Sequence, residues 1–312
     1  MKLGLDISGG DFAPRANVLG AILALEQLPE DVELVLIGRE DEIMPILKEK
    51  GVVSERISVV NAPDIITMED HPTRAIPQKP NSSISVGFEL LAHKKIDSFA
   101  STGNTGAMLV GSIYKVNAIP GVIRPCITSV LPIVGGKNSI ILDVGANADC
   151  KPDVLYQFAS LGSLYAKNVM NIENPRVGLL NIGEEEGKGN LLTQSAFKLM
   201  KDSDDFNFIG NIEGRDLFNG KADVVVCDGF TGNIVLKQAE GIYSIAKDLG
   251  IKDSYFERFN YENYGGTPIL GVNSDVIIGH GISNDIAVKN MMCLAYDVAS
   301  SELTKKIKEA FT

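Results

Sequence analysis

Lys188 and Asn190 lie on a glycine-rich loop, Gly183–Asn190, in which three successive glutamates precede the lysine. A lysine ammonium in such a loop can make a charge-assisted hydrogen bond to a phosphate oxygen. Glu184 or Glu185 would then orient the phosphate or contact a second copy of the chain. The alternative is a solvated charged loop that binds no ligand, so this loop indicates anion binding as one of two interpretations.

A second glycine-rich turn, Gly103–Gly106, has the sequence GNTG and joins an apolar run to a helical one. Gly103 and Gly106 allow a ligand to approach the backbone closely, and the Asn104 amide and Thr105 hydroxyl can bond an oxyanion. Backbone N–H groups at a helix N-terminus also favour anions. The turn is therefore predicted to bind substrate, although a glycine turn without a ligand fits the same sequence.

Further turns carry polar residues at comparable places. Asp228 ends an apolar run and Asn233 follows at the start of a helix, while Asn147 ends the sequence DVGAN, Asp143–Asn147. Asp228 either caps that helix or takes part in a site, and Asn147 has the same two interpretations. His280 lies between two glycines, where it is either a structural hydrogen-bonding group or open to a ligand.

The turns follow short apolar runs and precede segments of helical periodicity, which predicts alternating strands and helices. The predicted strands are Lys2–Ser8, Glu33–Ile37, Ile57–Asn61, Ser98–Ala100, Ile127–Leu131, Ser139–Asp143, Arg176–Leu180, Phe206–Asn211, Asp223–Cys227 and Asp275–Ile278. The predicted helices are Ala16–Leu28, Asp41–Lys50, Ser83–His93, Thr105–Val116, Val154–Val169, Leu191–Met200, Gly232–Leu249 and Ser283–Lys308. This alternation predicts an α/β fold, three-layer α/β/α with a largely parallel mixed sheet. Turns at the carboxyl edge of such a sheet would form a crevice suited to a phosphate-bearing substrate.

The 312 residues contain no low-complexity linker, so we predict a single α/β domain over residues 1–312, with two interlocked lobes as a variant of it. The segment Ile242–Asn263 breaks the alternation and is predicted to be a short helical excursion. Its aromatic residues Tyr255, Phe256 and Phe259 either cover the core or a dimer surface, or touch a membrane.

Charge and cysteine usage limit the class of protein. A net charge of −11 argues against nucleic-acid binding, and it requires any acidic partner to meet a local basic patch. Candidates for that patch are Arg74, Lys79, Arg124 and Arg215, unless each pairs with a neighbouring carboxylate. Four scattered cysteines indicate reduced thiols in a cytoplasmic protein. No GxSxG, P-loop, HExxH or GxGxxG motif occurs, which argues against serine hydrolases, Walker-type NTPases and zincins.

An ordered series of motifs extends over nearly the whole chain. They are Gly9–Pro14, Ser101–Ala107, Gly121–Pro125, Asp143–Asn147, Asn181–Asn190, Ile209–Asp216, Asp223–Asn233, Leu236–Gly241, Tyr264–Gly271 and His280–Ser283. In this order and spacing they closely resemble the motifs of the PlsX family, the acyl-acyl carrier protein:phosphate acyltransferases. Two positions depart from the family pattern, because Ser8 stands where Met is usual and Phe12 where His is usual.

The resemblance implies an enzyme of bacterial phospholipid synthesis, which moves a fatty acyl group from the thioester of acyl carrier protein to inorganic phosphate and so forms acyl phosphate. It also implies a homodimer without metal or organic cofactor, with a fold similar to the isocitrate and isopropylmalate dehydrogenases and to phosphotransacetylase. A membrane glycerol-phosphate acyltransferase is a further expected partner. Family members carry a longer and more basic helical hairpin than Ile242–Asn263, so we expect a cytoplasmic protein with at most weak membrane contact.

The residues and the resemblance together give a predicted site. The predicted catalytic residues are Lys188, Asn190, Asp228, Asn233 and His280. The predicted substrate-binding residues are Gly103, Asn104, Thr105, Gly106, Asn147, Arg74, Arg124 and Arg215. Phosphate itself is the nucleophile in this reaction, so the protein needs to align it with the thioester and stabilise an oxyanion.

Two other functions are weighed against this one. The first is an NAD-dependent hydroxy-acid dehydrogenase of the same fold, which would need a metal-binding Asp cluster and a set of substrate arginines that the sequence does not show. The second is a non-enzymatic module that recruits a lipid-synthesis partner through Tyr255–Tyr261. Formation of acyl phosphate by the purified protein separates the three.

Overall fold

The computed structural model describes residues 1–311, which form two compact units, each built from two separate stretches of the chain. The first unit holds residues 1–118 and 261–304, and the second holds residues 119–260 and 305–311. Both are α/β in character, as the alternating pattern predicts, and the three-layer α/β/α class is confirmed. The domain boundaries predicted from the sequence stay a prediction.

The strands are short and mostly buried. They are β1 (Lys2–Asp6), β2 (Glu33–Gly38), β3 (Ile57–Asn61), β4 (Ser98–Ser101), β5 (Cys126–Pro132), β6 (Asn138–Leu142), β7 (Arg176–Leu180), β8 (Asn207–Ile212), β9 (Val224–Val226), β10 (Thr267–Leu270) and β11 (Asp275–Ile278).

The helices connect these strands. They are α1 (Arg15–Leu25), α2 (Glu40–Glu49), α3 (Pro72–Gln78), α4 (Ser83–Ala92), α5 (Thr105–Gly111), α6 (Pro152–Asn168), α7 (Leu191–Met200), α8 (Gly229–Asp248), α9 (Ser254–Glu257), α10 (Asp285–Ser300) and α11 (Leu303–Phe311). A π-helical turn, Ser112–Val116, extends α5, and 3₁₀ turns form at Gly214–Asp216 and Tyr261–Asn263.

The strands of the first unit are ordered β3-β2-β1-β4-β11-β10. All neighbours are parallel except β10 and β11, which are antiparallel. The strands of the second unit are ordered β5-β6-β9-β7-β8, where only β5 and β6 are antiparallel. Parallel neighbours place the carboxyl ends of β1, β4 and β11 at one edge in the first unit, and those of β6, β9 and β7 at one edge in the second.

The sequence predicts all ten of the other strands but misses β10, whose four residues lie in the motif Tyr264–Gly271. Helix α3 is also missed, because Pro72 and Pro77 argue against a helical segment. The predicted helix Ser283–Lys308 is two helices, which are separated at Glu302, a residue with φ of 53°.

The predicted excursion Ile242–Asn263 begins within α8, which ends at Asp248, and residues 249–260 after the helix pack within the second unit. The Tyr255 hydroxyl donates to the Pro132 carbonyl at 3.1 Å, and the ring of Phe259 lies 5.6 Å from that of Phe218. These contacts favour the interpretation that the aromatic residues cover the core, while membrane contact stays a prediction. Within residues 1–311, every helix is too short or too polar to span a bilayer.

Candidate active site

A buried carboxylate organises the loops at the carboxyl edge of the first unit. Asp6 ends β1 and is fully buried. One of its oxygens accepts hydrogen bonds from the Ser8 and Gly9 N–H groups, at 2.9 and 3.2 Å, and the other accepts one from the Ser101 hydroxyl at 2.6 Å. Burial raises the pKa of Asp6, while these donors act in the opposite direction. Asp6 therefore holds together two loops that lie 95 residues apart in the chain.

The same loops approach each other so closely that only glycine fits. A Cβ on Gly9 would lie 2.7 Å from the Gly103 Cα and 2.5 Å from an Asp6 oxygen. Gly10 has φ of 94°, and a Cβ there would meet the Thr102 hydroxyl at 2.7 Å. The glycines of the first motif thus let the β1 loop rest directly on the β4 loop.

Asn104 has a structural task in this arrangement. Its side-chain oxygen accepts the Ala107 N–H at 2.9 Å and so caps α5. Its amide donates to the carbonyls of Thr67 at 2.9 Å and Asp70 at 3.1 Å, which holds the loop that leads into α3. The polar atoms of Asn104 are therefore engaged with the protein, and its predicted contact with substrate stays a prediction.

The remaining predicted residues of the first unit surround this turn. Thr105 is exposed at the first position of α5, and Gly106 packs against Pro72. His280 lies on the loop after β11, where its ring is 5.3 Å from that of Tyr261. Arg74 is exposed on α3 and enters no ion pair within residues 1–311.

A second buried carboxylate, Asp143, has the corresponding place in the second unit, directly after β6. It accepts hydrogen bonds from the Ile127 N–H at 2.9 Å and from both the backbone and the side-chain amide of Asn147, at 2.5 and 3.0 Å. Burial raises the pKa of Asp143, and these hydrogen bonds oppose the rise. Asn147 also donates to the Pro125 carbonyl at 2.8 Å, so its amide is fixed by the protein.

The loop after β9 rests on Asp143 in turn. A Cβ on Gly229 would lie 2.6 Å from an Asp143 side-chain oxygen, and one on Gly232 would lie 2.0 Å from the Asp143 carbonyl. Asp228 caps α8 by accepting the Thr231 N–H and hydroxyl, each at 2.8 Å. Capping is therefore the interpretation that the geometry of Asp228 supports.

Asn233 is exposed at the fifth residue of α8. Its side chain faces Gly145, whose added Cβ would lie 3.6 Å from the Asn233 oxygen. The second unit therefore brings Asn147, Asp228 and Asn233 together at the ends of β6 and β9, and their predicted roles in a site stay a prediction.

The loop after β7 begins at the same edge of the second unit. Some of its charged side chains make ion pairs and others make none. Glu184 makes an ion pair with Lys221 at 2.5 Å and raises the pKa of that lysine. Glu186 makes one with Lys201 at 3.3 Å. Lys188 is exposed, and within residues 1–311 its ammonium makes no ion pair. Two of the three adjacent glutamates are thus neutralised by other lysines.

Asn190 follows Lys188 and caps α7, with its side-chain oxygen accepting the Thr193 N–H at 2.9 Å. Gly189, between the two predicted residues, has φ of 91°, and a Cβ there would meet the Thr193 hydroxyl at 2.1 Å. This glycine is required for the loop to turn into the helix with Lys188 exposed.

The four candidate residues of the basic patch differ in whether they make an ion pair with a carboxylate. Lys79 makes an ion pair with Asp70 at 2.5 Å and Arg215 makes one with Glu213 at 2.9 Å. Arg124 is exposed and donates to the Asp149 carbonyl at 2.9 Å, which leaves its charge without a carboxylate partner in the described part of the chain. Arg74, in the first unit, and Arg124, in the second, are therefore each a better candidate for contact with an acidic partner than the two paired residues.

The cysteines near the second cluster are not activated. Burial raises the pKa of Cys150 to about 11, with further contributions from Asp143 and Asp228. Burial likewise raises the pKa of Cys126 and Cys227 well above the ordinary value. All three are thiols at neutral pH, which is unsuitable for a nucleophile. Within residues 1–311, no three His, Cys, Asp or Glu side chains come together in a way that could hold a metal ion.

Comparison with known proteins gives the family. A family model described as "Fatty acid synthesis protein" matches residues 1–306. The phosphate acyltransferase of Dictyoglomus thermophilum is 43% identical over 331 aligned residues, which cover 100% of this chain and 98% of the relative. The chain belongs to the PlsX family of phosphate acyltransferases. The phosphate acyltransferase of Oceanobacillus iheyensis supports the same family. It is 42% identical, and the alignment covers 98% of this chain and 96% of the relative.

Solved structures confirm the fold of this acyltransferase. A phosphotransacetylase from Streptococcus pyogenes superposes with a TM-score of 0.67 at 16% identity, and covers 96% of this chain and 94% of that one. A 4-hydroxythreonine-4-phosphate dehydrogenase from Salmonella typhimurium gives 0.57 at 13% identity over 95% and 99%. The predicted similarity to both phosphotransacetylase and a dehydrogenase-like fold is thereby confirmed.

Sequence reasoning did not identify the groups that position the acyltransferase loops. Asp6 lies in the first predicted strand and Ser101 in a quoted motif, yet no local pattern shows that they contact each other across the chain. A signal was available in the repeated form of an apolar run that ends in Asp before a glycine turn, which occurs at Asp6, Asp143 and Asp228.

Asn104→Ala tests whether the asparagine holds the loop before α3. The variant loses a helix cap, worth about 1 kcal/mol, and also the bonds to Thr67 and Asp70, worth roughly 1 kcal/mol each. We expect faster hydrogen–deuterium exchange in residues 65–70 as well as at the start of α5. Asn190→Ala is the control, because it removes a capping hydrogen bond of the same 2.9 Å length from the N-terminus of α7. Unchanged exchange in residues 65–70 of Asn104→Ala contradicts the assignment.

Proposed function

We propose that this acyltransferase moves a fatty acyl group from the thioester of acyl carrier protein to inorganic phosphate, giving acyl phosphate for phospholipid synthesis. The observation that carries the proposal is the exposed ammonium of Lys188, which has no ion pair within residues 1–311 although three glutamates precede it. An exposed ammonium without an ion pair, on a glycine-rich loop, is suited to bind an anion from solution. Family membership supports phosphate as that anion.

The chemistry needs few groups from the protein. A phosphate oxygen attacks the thioester carbonyl, a tetrahedral oxyanion forms, and the carbon–sulfur bond breaks to release the carrier thiolate. Because phosphate is the nucleophile, the high pKa of Cys150 and its neighbours is no obstacle. Lys188 would balance the charge of phosphate, and N–H groups of the glycine turns would stabilise the oxyanion.

Other parts of the proposal concern partners and location. We place the acidic carrier protein on Arg74 of the first unit or Arg124 of the second, the two candidate arginines without a carboxylate partner in the described residues. The enzyme would work as a cytoplasmic homodimer and pass its product to a membrane glycerol-phosphate acyltransferase. Exposed apolar residues on α8, which are Phe230, Ile234, Ile242 and Ile245, support contact with a second copy, as does Leu249 directly after the helix.

The test is direct formation of product. Purified protein is incubated with palmitoyl-acyl carrier protein and phosphate, and acyl phosphate is followed by ³¹P NMR together with release of the carrier thiol. The proposal requires both signals in equal amounts. Thiol release without acyl phosphate would indicate a thioesterase instead.

Lys188→Ala should reduce turnover by roughly 10²–10³-fold, because it removes one charge-assisted contact to the reacting phosphate. The loop should keep its structure, since the Lys188 side chain makes no ion pair in the described residues. Steady-state kinetics with varied phosphate measure the effect. Lys237→Ala, which removes an exposed lysine of α8, is the control and should keep wild-type rates. Wild-type kcat and phosphate KM in Lys188→Ala contradict the assignment.

Arg74→Glu/Arg124→Glu should raise the KM for the acyl carrier protein substrate about tenfold, since two attractive charges become repulsive. Added salt should raise the wild-type KM in the same way and should affect the variant less. Lys167→Glu/Lys198→Glu, at two exposed lysines without an ion pair in the described residues, makes the same change in net charge and is the control. If the double variant and the control behave alike, the carrier docks elsewhere.

A further inference from the structure

A β-bulge near the end of β8 decides where the side chain of Asn211, in the motif Ile209–Asp216, lies. The pairing of β7 with β8 shifts by one residue between Val177 and Leu179, so that Leu179 lies opposite Asn211 and not opposite Gly210. Gly210 has φ of 93°, a conformation that glycine adopts without strain. Bulges of this kind are common next to active sites, where they change the direction of a side chain. The bulge therefore places Asn211 beside the start of the loop that follows β7.

The amide of Asn211 connects two carbonyl groups of that loop. Its Nδ2 donates to the Glu185 carbonyl at 3.0 Å, and its Oδ1 accepts from Nδ2 of Asn181 at 3.1 Å. Asn181 Nδ2 also donates to the Lys188 carbonyl at 3.1 Å. Asn211 is only 3% exposed, so these bonds satisfy its amide in place of water. The two amides thus form a chain from the Glu185 carbonyl to the Lys188 carbonyl.

The same two residues are the ends of one tight turn. The Lys188 N–H donates to the Glu185 carbonyl at 3.0 Å, which closes a four-residue turn between them. The carbonyls of Gly187 and Gly189 accept from Nε2 of Gln194 on α7, at 2.9 and 3.0 Å. The backbone around Lys188 is therefore held by side chains of β8 and α7 as well as by Asn181.

The side chain of Lys188 is held much less than its backbone. Its ammonium makes no ion pair within residues 1–311, and its stem lies over Gly183, where an added Cβ would come within 2.8 Å of Lys188 Cγ. A glycine-rich loop has many conformations unless other groups restrict it, and ordering such a loop when a ligand binds weakens the binding. Holding the backbone beforehand removes that cost.

We propose that Asn211, together with Asn181, is a positioning residue that holds the Lys188 turn in the conformation that binds phosphate. The inference rests on the proposed function, in which Lys188 balances the charge of the reacting phosphate. Asn211 does not touch the substrate and acts only through the backbone of the turn. Loss of its amide should therefore weaken the use of phosphate and leave the use of the thioester unchanged.

Asn211→Ala is the first test, in the acyl phosphate assay with varied phosphate. A contact misplaced by about 1 Å can cost up to about 10²-fold in rate, and we expect kcat/KM for phosphate to fall about tenfold. The KM for the acyl carrier protein substrate should stay at the wild-type value. In a Lys188→Ala background, Asn211→Ala should change kcat/KM for phosphate by less than about twofold, because the group that it positions is gone.

Asn181→Ala removes the second amide of the chain at a half-buried position, so it serves as the test if Asn211→Ala does not fold. It should give a similar loss with the same dependence on Lys188. Asn168→Ala is the matched control, because it removes a side-chain amide that donates to the Leu164 carbonyl at 2.7 Å at the end of α6. This control should keep wild-type kinetics for both substrates.

A role in stability alone would impair the use of both substrates and would persist without Lys188. An equal loss with and without Lys188, or wild-type phosphate kinetics in the folded variants, therefore overturns the proposal. Failure of both Asn211→Ala and Asn181→Ala to fold would assign the amides to stability and also overturns it. Absence of acyl phosphate in the wild type, or wild-type phosphate kinetics in Lys188→Ala, would instead be a failure of the proposed function itself.

Discussion

The loops that could bind phosphate depend on two buried carboxylates. Asp6 and Asp143 each stand at the end of a strand, and each accepts hydrogen bonds from the loop that follows and from a neighbouring element. Burial raises the pKa of both groups, and the donors around them oppose that rise. Removing such an acceptor leaves several buried N–H groups without partners, which costs more than the bonds themselves contribute.

The carboxylates also explain the glycines. Gly9 lies too close to Asp6, and Gly229 too close to Asp143, for any side chain to fit. The glycine turns are thus required first for packing the loops against a carboxylate. The two units therefore reach a similar arrangement with different sequences.

Elements were more predictable than contacts. An apolar run bounded by turn residues identifies a strand whatever its neighbours are, and so ten strands follow from the sequence alone. Strand β10 and helix α3 contain prolines, and their formation depends on neighbours that no local pattern reveals. At the site, Asn104, Asp228 and Asn190 prove to be helix caps, a role that their position before a helix already permitted. The absence of an ion pair at Lys188 in the described residues could not be predicted, because Glu184 and Glu186 pair with Lys221 and Lys201, which are distant in the sequence.

The central claim is that buried carboxylates shape the edge that we propose binds phosphate, and calorimetric titration of inorganic phosphate into Asp143→Asn tests it most directly. The substitution keeps the size of the side chain but replaces an acceptor of the Asn147 N–H groups with a donor. With far-UV circular dichroism unchanged, the account predicts phosphate affinity at least about tenfold weaker than in the wild type, a loss of about 1.4 kcal/mol. A folded Asp143→Asn variant that binds phosphate with wild-type affinity would contradict it.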